Sequence, residues 1–196
     1  MQLRPIPARA LEKWYRGLQA AFPPCECKPL ADIRILMERG QYEILGMYDQ
    51  GEEPLGFATV WSHPDYSGYG MLDYLAVAAC RRGGGLGGRI LTLLREGDWG
   101  KNVLVLEAER PVPGAPPEEN ALRERRLGFY GRNGCTPVYD TFACGLRCQA
   151  FVLGGRPADL SALKTAHRAI YGPARTDVVI DPPADAVPAP PYWMEG

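Results

Sequence analysis

Apolar residues recur along this chain in two rhythms, one at every third or fourth position and one at every second, and the changes of rhythm mark the elements. A short extended piece is predicted at Gln2–Pro7. Leu11, Trp14, Leu18 and Phe22 then share one helical stripe, which Pro23-Pro24 ends. Leu30, Ile33, Leu36 and Met37 predict a second helix over Leu30–Arg39, with Gly40 as its C-terminal stop. Three strands follow in quick succession, at Tyr42–Tyr48, Leu55–Trp61 and about Gly70–Ala79. The turn-rich stretch from Asp49 to Pro54 makes the first two a hairpin. Val103–Glu107, rich in valine and leucine, suits a strand buried on both faces.

The pattern then becomes more polar. Pro111–Pro117 reads as a proline-rich loop, and Glu118–Arg132 as a charged helix stopped by Asn133-Gly134. Two strands are predicted at Pro137–Ala143 and Leu146–Leu153. A helix over Pro157–Tyr171 carries Leu160, Leu163, His167 and Ile170 on one side and ends at Gly172-Pro173. Five prolines between Pro182 and Pro191 predict an extended or loosely ordered tail. Neither a repeat nor a dividing linker is visible, so the chain reads as one domain over residues 1–172 followed by a proline-rich tail over 173–196.

Composition narrows the function classes. A length of 196 residues suits one sizeable core, and 46% hydrophobic with 23% charged residues is an ordinary globular mix. The 22 basic and 23 acidic side chains nearly cancel, which gives no general attraction to nucleic acid or an anionic membrane. The sequence shows no apolar run of membrane-spanning length and no signal-peptide core at its start, so a cytoplasmic location is expected. The six cysteines form no C-x-x-C pair, and His63 and His167 are the two histidines, so no metal site is expected. The cysteines read as reduced, buried apolar residues.

One stretch carries most of the chemistry. From Tyr74 to Leu94 an apolar strand leads into two arginines, five glycines around one leucine, and an amphipathic helix with Leu86, Ile90, Leu93 and Leu94 on one face. Strand, glycine loop and helix start together offer backbone N–H groups and a positive dipole end to a phosphate. Three phosphate motifs compete for it. Gly83 and Gly88 have the spacing of a nucleotide-triphosphate loop, but Arg89-Ile90 stands where Lys-Ser/Thr is needed, so the magnesium ligand is missing. Gly83, Gly85 and Gly88 also satisfy G-x-G-x-x-G, with Glu107 near the place of a ribose-binding acid. That motif opens its fold and follows its strand directly, whereas here Cys80-Arg81-Arg82 intervenes and too little chain remains for a doubly wound sheet.

The third match is R-x-x-G-x-G at Arg82, Gly85 and Gly87. It resembles the acetyl-CoA signature of the GNAT superfamily of N-acetyltransferases. Leu72-Asp73-Tyr74-Leu75-Ala76-Val77 resembles that family's fourth strand, and Phe129-Tyr130-Gly131-Arg132-Asn133-Gly134-Cys135 its later F-Y-x-x-x-G-F motif, with cysteine in place of the last aromatic. The resemblance covers roughly residues 2–153. It implies an α/β (α+β) fold with a mixed, mostly antiparallel central sheet, splayed between strands 4 and 5 and flanked by helices.

The resemblance further implies an acetyl-CoA-dependent N-acetyltransferase acting by direct attack in a ternary complex. Backbone groups of Leu75, Ala76 and Val77 would hold the acetyl carbonyl and pantetheine. The loop Gly83, Gly84, Gly85, Leu86, Gly87 and Gly88 would surround the pyrophosphate, with Arg82 and Arg89 adding charge. Tyr130 stands where the family supplies a general acid to the leaving thiolate and also borders the cofactor; a core aromatic on its helix is the alternative. The family's asparagine seven residues earlier is Arg123 here, and Asn120 is out of register. For the base that deprotonates the amine, Asp73 ranks first, because in an extended strand it shares a face with Leu75 and Val77. Glu107 ranks second and Glu26, in the loop between the first two helices, third. The acceptor is expected to be a small-molecule or peptide amine, with Trp61, Tyr66 and Tyr69 as aromatic walls. The alternative is a non-catalytic acyl-CoA-binding or interaction module, and either a monomer or a homodimer fits.

Overall fold

The computed structural model describes residues 1–154, 157 and 159–194. The chain runs β1 (Gln2–Pro5), α1 (Leu11–Ala21), α2 (Leu30–Glu38), β2 (Tyr42–Tyr48), β3 (Gly56–Ser62) and β4 (Tyr69–Val77). It continues through α3 (Leu86–Glu96), β5 (Val103–Glu109), α4 (Pro117–Arg132), β6 (Cys135–Ala143), β7 (Leu146–Leu153), α5 (Leu160–Tyr171) and β8 (Val179–Ile180). These strands form one sheet in the order β1-β2-β3-β4-β5-β7-β6-β8. All neighbours are antiparallel except β4 and β5, which run parallel. This is the mixed, mostly antiparallel sheet that the sequence implied.

Two apolar layers cover its faces. Leu11, Trp14 and Leu18 of α1, Ile33 of α2 and Leu163 and Ile170 of α5 pack on one side with Tyr42, Met71 and Tyr74 of the strands. Ile90, Leu91 and Leu94 of α3 pack on the other with Leu45, Val60, Leu72 and Leu106, joined by Phe129 and Tyr130 of α4. Each fully buried leucine or isoleucine contributes about 1.5–3 kcal/mol through apolar burial.

Two irregularities position the site. The parallel pairing of β4 with β5 runs only from Tyr69↔Val103 to Leu72↔Leu106. Beyond it β4 stays bonded to β3 (Ala58↔Leu75, Gly56↔Val77), and β5 to β7 (Glu107↔Ala150, Glu109↔Cys148). The second is a β-bulge: Thr59 opposes Tyr74 and Val60 opposes Leu72, which leaves Asp73 as the extra residue of β4. Strand alternation is therefore reset at Asp73. Leu72, Leu75 and Val77 fall in one layer while Met71 and Tyr74 fall in the other. The face that the period-2 pattern gave Asp73, alongside Leu75 and Val77, is corrected by this extra residue.

The end of the chain is extended, as the prolines imply, but it is fastened rather than loose. Val179 and Ile180 add an edge strand to β6. Arg175 donates two 2.8 Å hydrogen bonds to the Asp177 carboxylate, which also accepts from the Cys144 N–H at 2.9 Å. Arg147 donates to the Pro183 and Ala184 carbonyls. Ala158, within the helix expected from Pro157, and the last two residues of the tail lie outside the described residues. The described part of that helix starts at Leu160, with the Asp159 side chain accepting from Ala162 N–H.

Candidate active site

Where β4 and β5 part, each keeps hydrogen bonds on its outer edge and presents an unpaired edge to the gap. A cleft of about 900 Å³ fills this gap. It is lined by Asp73 to Val77 on one side and by Glu107, Ala108 and Glu109 on the other. Arg82, Gly83, Gly85, Leu86 and Gly87 border one end, Phe129 and Tyr130 of α4 form a wall, and Glu26, Cys144, Cys148 and Tyr171 line it further. Unpaired backbone in a partly dry slot is costly unless something completes its hydrogen bonding.

The glycine loop is built for close approach. Gly85, at φ +74, is the left-handed residue from which α3 starts, a conformation that disfavours any side chain. Its carbonyl accepts the first helical bond, from Arg89 N–H at 3.1 Å. The N–H groups of Leu86, Gly87 and Gly88 thus have no carbonyl four residues back within the helix, the arrangement that suits an anion at a helix start. A Cβ on Gly87 would come within 3.1 Å of the Phe129 ring, so this glycine also sets the approach of α3 to α4 beside Tyr130. Of the predicted cofactor contacts, Leu75, Ala76, Val77, Arg82, Gly83, Gly85, Leu86, Gly87 and Tyr130 line the cleft. Gly84, Gly88 and Arg89 do not: Arg89 is exposed, and a Cβ on Gly88 would meet Asn133 at 2.3 Å. Arg82 is exposed and its Nε reaches back to the Val77 carbonyl at 3.5 Å.

Tyr130 packs against Phe129 and Phe151, with ring centroids 5.2 and 5.8 Å away. Its hydroxyl has no hydrogen-bond partner among the described residues, and burial pushes its pKa up to about 12. It is at once the core aromatic and the cleft phenol that the sequence allowed. Arg123 ion-pairs with Glu109 at 2.7 Å and with Glu119 at 3.2 Å, so the departure from the family asparagine is neutralised locally. Asn120 is bonded to both the N–H and the C=O of Val112 at 2.9 Å and does not line the cleft.

The three carboxylate candidates prove unequal. Asp73 is bound by Lys28 Nζ at 3.0 Å and by the Tyr42 hydroxyl at 2.5 Å, with the lysine and aspartate side chains 4% and 9% exposed. Lys28 Nζ in turn lies 4.2 Å from the Trp61 ring centroid and 5.6 Å from those of Tyr42 and Tyr74. The aromatic wall at Trp61, expected for a cationic acceptor, is thus taken by the chain's own lysine, and Tyr66 and Tyr69 do not line the cleft. Glu26 lines the cleft with its pKa raised by burial, and its carbonyl accepts from Tyr74 at 2.6 Å. Glu107 is the most enclosed. Tyr171 donates to its Oε2 at 2.5 Å, and His167 Nε2 lies 3.6 Å from its Oε1. Burial raises its pKa, and the Tyr171 hydrogen bond and the Arg175 charge act in the opposite sense.

The sequence missed Lys28, His167, Tyr171 and the pair Cys144 and Cys148. One signal was available: a histidine on the apolar stripe of a helix needs a buried partner. Cys80 departs from the buried-thiol expectation, since it is exposed at the start of the glycine loop.

No family model matches this chain. A Bacteroides thetaiotaomicron protein named as a GNAT-family acetyltransferase is 26% identical, with a TM-score of 0.66 over 86% of this chain and 95% of that one. The chain has the GNAT fold. A coenzyme A complex of aminoglycoside 6′-N-acetyltransferase, 14% identical, shares the GNAT fold with a TM-score of 0.57 over 80% of this chain and 99% of that one. Among curated proteins, YjbC of Bacillus subtilis (strain 168), named as an acetyltransferase, is 30% identical over 119 residues. That match takes in 61% of this chain and 54%, about half, of YjbC.

Proposed function

We propose that this GNAT-fold protein is an N-acetyltransferase that transfers the acetyl group of acetyl-CoA to a primary amine by direct attack in a ternary complex. The observation that carries the reading is the pair of unpaired strand edges opening onto one cleft, with a glycine-rich helix start at one end and carboxylates further in. Acetyl-CoA, when bound, supplies an activated thioester. The residues fit it: the loop from Gly83 to Gly88 would hold the pyrophosphate, and the free edge of Leu75–Val77 would pair with the pantetheine amides. Backbone N–H groups fixed on that edge favour negative charge where an amine attacks a carbonyl. Tyr130, with its unpartnered hydroxyl in the cleft, is a neutral donor for the departing sulfur.

Phe22, Pro23, Glu26 and Tyr74 line the same cleft and would border the acceptor. Asp73, neutralised by Lys28, is the weaker candidate for the base. Six cysteines without disulfide partners fit a reducing, cytoplasmic setting. Among the described residues no helix is long and apolar enough to cross a membrane.

Thermal unfolding with acetyl-CoA, NAD or ATP, followed by thiol release over a panel of small and peptide amines, tests the proposal. Acetyl-CoA is expected to raise Tm and at least one amine to release free thiol. A shift with NAD or ATP and none with acetyl-CoA would refute it. Cofactor binding without turnover of any amine would instead assign an acyl-CoA-binding module.

A further inference from the structure

A second cavity, of about 780 Å³, lies between α1, the β2–β3 turn and the end of β4, on the α1 side of the sheet. Trp14, Tyr48 and Phe57 line it with flat rings, and Ile6 adds apolar surface. Its rim is cationic: Arg4, Arg9, Lys13 and Arg82 border it, against Glu52 and Glu53. The Lys13 charge is met by Glu53 at 2.6 Å. Among the described residues Arg4, Arg9 and Arg82 pair with no carboxylate, so three arginines face the one remaining acid, Glu52. Arg4 is held over the cavity's own wall, its guanidinium carbon 4.0 Å from the Tyr48 ring centroid.

The space is kept open by small residues. Gly17 lines the cavity from inside α1, where glycine lowers helix stability relative to alanine. Beyond its own stretch of helix, no heavy atom lies within 4 Å of the place its Cβ would take, so no packing partner requires a glycine there. Ala10, Ala20 and Ala78 border the same space. Ring-lined apolar volume beside unpaired guanidinium groups is complementary to an anion with a flat apolar body.

We infer that this cavity is a binding site for a small aromatic acid, separate from the cleft between β4 and β5. The aromatic body would lie against Trp14, Tyr48 and Phe57, and the acidic group beside Arg4 and Arg9, where guanidinium groups give charge-assisted hydrogen bonds. Arg82 adds positive charge at the β4 end of the cavity, where Ala76 and Val77 form a wall common to both spaces. Gly17, Arg4 and Arg9 line the second cavity and not the cleft, so they can be altered without touching the acetyl-CoA contacts.

The site stands apart from the acetyl-transfer reading, and so does its test. The probes are anilinonaphthalene sulfonate and phenylnaphthylamine, fluorophores that share an aromatic body and differ in the acidic group. With acetyl-CoA present to fill the cleft, the sulfonate is expected to bind the full chain at one saturable site, at least about tenfold more tightly than the neutral amine. Arg4→Gln combined with Arg9→Gln is expected to remove most of that preference and leave the neutral probe unchanged. Gly17→Leu combined with Ala20→Leu narrows the cavity and is expected to weaken both probes at least about tenfold. Tm should hold or rise in that variant, because leucine favours a helix over glycine. Absent saturable binding, equal affinity for the two probes, or a preference that survives loss of both arginines overturns the acid-binding assignment. Binding untouched by the two leucines overturns the cavity as its place. If acetyl-CoA itself fails to bind, the acetyl-transfer reading falls, while the arginine and leucine variants still decide this site.

Discussion

Replacing Tyr130 by phenylalanine isolates one hydroxyl. Its size effect follows from two groups that share a cleft. Free in water a phenol at 10.0 and a thiol at 9.0 differ by little, and burial at this site moves Tyr130 and the Cys144 thiol each to about 12. A thiolate leaving in the same cleft feels the same loss of solvation, so proton transfer from Tyr130 stays close to balanced. General acids are worth about 10²–10⁴ in rate. Among the described residues no second side chain is hydrogen-bonded to the hydroxyl to recharge it, which places Tyr130→Phe at the low end, about 100-fold in kcat, or roughly 2.7 kcal/mol of barrier. Stability should hardly change, because the hydroxyl has no protein partner to lose; Tm is expected to stay within about 2 °C. The assay is thiol release from acetyl-CoA with an amine taken from the panel, alongside calorimetric affinity for the cofactor. A kcat within about threefold of wild type would refute the acid role, and so would a loss of cofactor affinity as large as the loss of rate. Because the phenol keeps its proton up to about 12, a basic limb near pH 8 that vanished in Tyr130→Phe would contradict the burial argument itself.

Other perturbations probe the frame around that hydroxyl. Asp73→Asn leaves Lys28 buried beside aromatic rings without its carboxylate, and should cost about 3 kcal/mol in urea unfolding. Adding Lys28→Met to it should recover most of that loss, whereas a single-variant cost below about 1 kcal/mol would mean that the pair is not desolvated. Gly85→Ala forces a side chain into φ +74, so stability should fall by about 1 kcal/mol and the Kd for acetyl-CoA should rise about tenfold; an unchanged Kd would remove the loop from the cofactor site. His167 binds a proton near 6.5 once unfolded but only near 3 when folded. Its contribution to stability is therefore complete above pH 6.5 and is lost as the pH falls toward 3, by about 1.4 kcal/mol per unit. Glu107, raised by burial, acts in the other sense, stabilising below its unfolded value of 4.5 and losing that contribution as pH rises through its folded pKa. Unfolding free energy measured between pH 6.5 and 5 should drop more steeply in wild type than in His167→Leu, and parallel slopes would show that the imidazole is not buried neutral.

What was legible in the chain was whatever depends on near neighbours. Leu11, Trp14 and Leu18 set a helix and its buried face, and Leu86, Ile90 and Leu94 set another, because a helix repeats within the segment itself. Arg82, Gly85 and Gly87 mark the loop, since only backbone without side chains can make that approach. The strand before it and the Phe129-Tyr130 pair were readable as family motifs, and both line the cleft.

The site's carboxylates were not legible in this way, because their surroundings come from distant segments. Whether Asp73 shares a face with Leu75 depends on one extra residue in the pairing with β3, and a strand's period cannot show a bulge that its partner imposes. Lys28, 45 positions away, then decides that Asp73 is paired. Glu107 looked like an ordinary strand end, yet Tyr171, 64 positions on, makes it an enclosed carboxylate. The prolines made the end of the chain extended, and Arg175, Asp177 and Arg147 fasten it over the sheet edge. Sequence alone thus determined the elements, the glycine loop and the family pattern. Tertiary structure decided which acid is ion-paired and which is enclosed beside a tyrosine, because burial and charge pairing are sums over neighbours that the chain brings together only by folding.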